Sequence, residues 1–138
     1  MSNIIEKGKH PYWGPIQRRD GYGGWDLEIE EQWTGKGMIK VRVDFKDPDD
    51  PIVQANYKKM REKWGSLWPR IVERTEKMKA SYGYQDAPID FGRDWLSFTP
   101  PTIPIDEAPE WSVMLQAREA GWLLDFKGWE DFGGQGVF

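Results

Sequence analysis

The sequence predicts an α+β domain: a mainly antiparallel sheet, made of an N-terminal hairpin and a C-terminal meander, with one long kinked helix packed on one face. Three observations carry that class. Two segments near the N-terminus alternate apolar and polar residues with the period of a strand. Residues 51–82 repeat their apolar positions every three or four residues, as a helix does. After them the period returns to 2 in short pieces. The chain has 138 residues, no internal repeat and no dividing linker, so a single domain over 1–138 is expected.

Residues 1–20 read as an irregular or edge lead-in, with Lys7, Lys9, Arg18 and Arg19 scattered among Gly8, Pro11, Gly14 and Pro15. The hairpin spans 25–45. Trp25, Leu27, Ile29 and Trp33 fall on one face of its first strand; Ile39, Val41, Val43 and Phe45 fall on one face of its second. Thr34-Gly35-Lys36-Gly37 is the connecting loop. Apolar faces coincide only if paired positions sum to an even number. Pairing Trp33 with Gly37 sets Ile29 opposite Val41 and Trp25 opposite Phe45, and brings Glu28 beside Arg42 and Glu30 beside Lys40.

Asp49 or Asp50 caps the helix, and Pro51 suits its first turn. The stripe runs through Val53, Tyr57, Met60, Trp64, Ile71, Thr75 and Met78. Pro69 removes one backbone donor and should bend the rod near Gly65; one bent helix or two in line both fit. The meander covers 89–127. It holds a small strand at Ile89–Phe91, a strand from Trp95 to Thr99, and strands Trp111–Ala117 and Trp122–Lys127 about an Arg118–Gly121 turn. Pro100 to Pro104 must be extended. Residues 128–138 form a Gly-rich tail that can add an edge strand.

Composition removes several functions. There is no Cys, which excludes a disulfide scaffold, a thiolate metal site and a cysteine nucleophile. The lone histidine, His10, excludes a two-histidine metal site, and as a solitary residue near the start of the chain it reads as solvent-exposed. No Gly-x-Ser-x-Gly elbow, phosphate loop or dinucleotide fingerprint occurs. Asp47–Pro51 lacks the spacing of a calcium loop. No catalytic residue, cofactor or metal site is therefore expected. Carboxylate pairs remain open to acid–base work, with Asp90/Asp94 and Asp125/Glu130/Asp131 as candidates. No stretch reaches the roughly 20 apolar residues of a membrane helix, and the opening residues lack a hydrophobic leader core, so a cytoplasmic protein with no membrane partner is expected.

The net charge of −4 hides an asymmetry. Residues 57–79 hold eight basic against three acidic residues, net +5; residues 85–138 hold three against ten, net −7. The basic stretch reads first as a solvated helix face. Of the 9 Trp, most sit at core positions; Trp13 and Trp129, with Tyr12, Tyr22 and Phe132, are the rings expected to be exposed. Basic residues are not interleaved with free rings, which disfavours nucleic acid.

The Trp-rich opening hairpin (Trp25, Trp33, Ile39 to Val43), the long helix from Ile52 to Tyr82 and the meander closing on Trp122, Leu124 and Phe126 resemble small bacterial α+β domains encoded beside polymorphic toxins, which are thought to be immunity proteins. The resemblance spans roughly residues 22–127 and rests on element order and aromatic spacing. It implies a protein-binding module that occludes a toxin with a basic surface. The residues expected to meet that partner are Asp106, Glu107, Glu110, Asp125, Glu130 and Asp131, with Trp129 as the aromatic anchor. Two other classes stay open: an enzyme or small-ligand binder using a carboxylate pair in a Trp-lined pocket, and a structural component of a phage or secretion particle.

Overall fold

The computed structural model describes residues 3–33 and 37–138. Its lead-in is an edge hairpin, not irregular chain: β1 (Ile4–His10) pairs antiparallel with β2 (Gly14–Arg19). Gly14 makes the tight turn at φ +74, a left-handed conformation that favours glycine. His10 anchors that turn. Its Nδ1 accepts from the Tyr12 backbone N–H at 3.0 Å, so its Nε2 donates to Asp49 Oδ1 at 2.7 Å. The histidine expected at a loose terminus is thereby fixed, and its side chain is only 12 % exposed. Trp13, expected outside, is buried: its ring stacks on Phe45 at 4.2 Å and its Nε1 donates to the Pro48 carbonyl. Pro and Gly neighbours hid a core residue there, because the turn folds back over the next hairpin.

β3 (Trp25–Gln32) and β4 (Met38–Phe45) pair in the register that parity dictates, from Trp25 opposite Phe45 to Gln32 opposite Met38. Their loop, apart from Gly37, lies outside the described residues. Asp50 caps α1 (Pro51–Glu62) by accepting from the Ile52 and Val53 N–H groups. α2 (Trp64–Ser81) follows after a one-residue interruption at Lys63. That break lies within one turn of Gly65, whose carbonyl loses its helical donor to Pro69. The rod is therefore two helices in line.

No strand forms at Ile89–Phe91. The Asp90 carboxylate accepts from the Gly92 N–H and the Asp94 carboxylate from the Asp90 N–H, closing a turn instead. β5 (Trp95–Phe98) then pairs parallel with β4, and β6 (Glu110–Gln116), β7 (Gly121–Lys127) and β8 (Glu130–Val137) complete an antiparallel meander. Among the described residues the result is one eight-stranded sheet in sequential order, antiparallel at every junction but β4–β5.

Both helices pack on the same face. Trp64 meets Phe98, Trp68 meets Trp33, and Met78 lies over Gly134, where a Cβ would come within 2.9 Å of its sulfur. The core fills this side: Ile39, Val41, Val43, Leu96, Val113, Leu115 and Trp122 are each at most 1 % exposed. Burial of apolar area at about 25 cal/mol per Å² is what holds the layers together. Among the described residues no helix is long and apolar enough to cross a membrane.

Candidate functional site

Alternation sends every second strand residue to the helix-free face. There, polar and charged side chains are buried side by side. Arg19, 5 % exposed, donates from Nε to Asp26 Oδ2 at 2.9 Å and from Nη2 to Glu28 Oε1 at 2.7 Å. Gln17 adds a bond to the other Asp26 oxygen at 2.9 Å. Such lateral bonds let carboxylates survive burial. The register sets Glu28 opposite Arg42, as expected, but the Glu28 carboxylate bonds Arg19 on β2.

Register also sets Asp26 directly opposite Asp44. Burial, reinforced by the Asp26 charge, pushes the Asp44 carboxyl up to about 6; Arg42 and Arg19 partly oppose the shift. Like charges opposed across a ladder are destabilising, so this pair needs its cations. Tyr22, Gly23, Gly24, Trp25 and Thr99 wall a cavity of about 200 Å³ beside the two aspartates.

Two loops rim the face. Residues 99–109 are held from α1 by buried Asn56: its Nδ2 donates to the Pro101 and Ile103 carbonyls, and its Oδ1 accepts from the Ile105 N–H, all at 2.8 Å. This loop encloses a groove of about 740 Å³ with Ser97, Ser112, Met114 and Leu123 from the sheet. The second rim is the turn 91–94, where Phe91 packs on Gly37 so closely that a Cβ there would clash at 2.7 Å.

The residues expected to meet a partner divide into two groups. Glu110 and Asp125 lie on the helix-free strand positions. Glu110 is exposed, while Asp125 accepts from Ser112 Oγ at 2.7 Å. The others sit on the helix side or its border. Asp106 pairs with Lys59 at 2.7 Å, and that hydrogen bond holds its carboxyl below the usual range. Asp131 pairs with Arg74 at 3.0 Å and Arg70 at 3.5 Å, and Glu130 with Arg70 at 4.0 Å. Arg70 also donates to the Trp129 carbonyl, and Lys63 lies 4.4 Å over the Trp129 ring. Glu107 is exposed on a short 3₁₀ turn. Lys59, Arg70 and Arg74 of the basic helices thus pair with Asp106, Glu130 and Asp131 of the acidic C-terminal half.

The candidate acid pairs behave differently from one another. Asp90 and Asp94 share a turn, where burial raises the Asp94 carboxyl. Asp125 and Asp131 diverge to opposite faces, each with its own partner. The pair that the fold creates, Asp26 with Asp44, was open to detection, since the same register that opposes Trp25 to Phe45 opposes these two. Among the described residues, no group of three or more His, Asp or Glu side chains is arranged to hold a metal ion. Comparison with protein-family models, with curated proteins and with solved structures found no match.

Proposed function

We propose that the chain is a protein-binding module that masks its partner, as an immunity or inhibitor protein masks a toxin. The supporting observation is the helix-free sheet face: among the described residues no helix or second sheet covers it, and lateral bonds already fix several of its charges, Arg19 to Asp26 and Glu28 and Ser112 to Asp125. Charges positioned before encounter lower the cost of ordering on binding and set orientation. Met114 and Leu123 in the groove supply apolar anchors; Glu110 and Asp125 supply carboxylates for a basic partner. Asp106, Glu130, Asp131 and Trp129 contribute less, because helix cations already engage them.

The test is co-expression with the product of the adjacent gene. Growth protection and a stoichiometric complex by size-exclusion chromatography are expected. Leu123→Arg should abolish both while the unfolding midpoint stays near wild type. No complex and no protection would remove this reading.

A second reading draws on Asp26 and Asp44. Asp26 accepts from Arg19 and Gln17, while burial pushes its neighbour Asp44 up to about 6, a range suited to giving up or taking a proton. Turnover of an aryl glycoside or ester panel, lost in Asp44→Asn, would favour it; an inert wild-type protein would dismiss it.

A further inference from the structure

We propose that the cavity between β3, β4, β5 and the 91–94 turn binds a small organic monocarboxylate, with Arg42 as its anchor. Arg42 is 8 % exposed. A guanidinium at that depth ordinarily faces a carboxylate, because an unpaired buried charge is costly. Among the described residues the Arg42 side chain makes no hydrogen bond and no ion pair: Asp44, two residues on, acts on it only through its field, and the Arg42 Nε is enclosed without an acceptor. Its cross-strand neighbour Glu28 is turned to Arg19. Instead, the guanidinium stacks on Trp95, 4.1 Å from the ring centroid. Stacking occupies the face of the guanidinium and leaves the donors at its edge unused. Arg42 is therefore held in place, largely dried and still able to bond an acceptor.

Size and charge select the ligand class. The cavity measures about 180 Å³, below the roughly 300–1,000 Å³ of pockets for drug-sized ligands, so it suits a molecule of few atoms. The guanidinium edge matches two carboxylate oxygens. Lys40 and Arg93, both exposed, line the same cavity and add positive field. Arg19, Glu28 and Asp94 also line it; Arg19 is paired with Glu28, so the charge left over is positive and calls for an anion, while the rings beside it favour one with an apolar body over inorganic phosphate. Phe91 and Trp95 offer ring surface to an apolar body. This inference goes beyond the partner-masking reading and does not depend on it.

The test titrates the intact protein with acetate, propionate and benzoate, following the Arg42 Nε–H resonance by ¹H–¹⁵N NMR, with inorganic phosphate as comparator. A saturable shift is expected for at least one carboxylate, with a midpoint about tenfold or more below that of phosphate. Arg42→Gln, followed by calorimetry, should weaken that binding at least about tenfold. Should that variant not fold, Trp95→Leu removes the platform while keeping the charge, and binding should again weaken. The proposal falls if no carboxylate saturates the wild-type protein. It falls equally if phosphate binds as tightly, or if the folded variants bind unchanged.

Discussion

Leu123 and Leu124 are neighbours in β7, yet they belong to different kinds of structure. Leu124 is 5 % exposed beneath the helices; Leu123 is half-buried on the helix-free face and lines its groove. The same contrast runs along β4, where Val41 and Val43 sit in the core while Arg42 between them faces Trp95. The helix side is held by apolar area buried beneath the helices. The other side is held by bonds between charges, which contribute little net stability but fix geometry. One face therefore maintains the fold, and the other is free to be specialised for recognition.

Six substitutions sharpen or break that contrast. Trp122→Ala, fully inside and touching Tyr82, Tyr84 and Phe138, should lose about 3–5 kcal/mol in denaturant unfolding. Arg19→Met leaves Asp26 buried without its cation and should cost about 2–4 kcal/mol; adding Asp26→Leu should recover much of that loss. A double variant as unstable as the single one would mean the cluster is held by packing.

Asp44→Asn should act in the opposite direction. The folded carboxyl sits at about 6, above the ordinary 3.8, so the folded state binds the proton more tightly. Its contribution is complete below pH ~4 and is lost as pH rises through ~6. The variant should therefore gain about 1–2 kcal/mol at pH 7–8, allowing for solvent screening, and flatten the pH slope between about 4 and 6. Thermal melts across that window decide it. Leu123→Ala should cost least, about 1 kcal/mol or below, against about 2–5 for Leu124→Ala. Equal losses would show that the open face is part of the core.

Much of the fold was legible because period and parity are strict. Trp25 to Phe45 could be paired residue by residue, and the apolar stripe marked both helices. Local chemistry was harder to read. Side chains of Asp90 and Asp94 capture backbone donors and replace a strand with a turn, a competition that alternation does not reveal. Trp13 looked exposed because only the tertiary fold brings Phe45 against it. The candidate site was less legible still. Arg19 looked like scattered lead-in charge, since the pairing of β2 with β3 is set by a loop without a two-residue turn signature. The C-terminal acids looked free because sequence separation concealed Arg70 and Arg74.

The lone parallel junction, β4 with β5, also bears on how the molecule assembles. The other ladders join strands linked by loops no longer than residues 99–109, so each ribbon on either side can zip locally, whereas both helices lie between β4 and β5. Joining the two ribbons must wait for the intervening helices to be placed, since closing that long crossover loses chain entropy before any contact rewards it. Pulse-labelled hydrogen exchange should accordingly see amides of the β6–β7 ladder protected earlier in refolding than those between Val41 and Leu96.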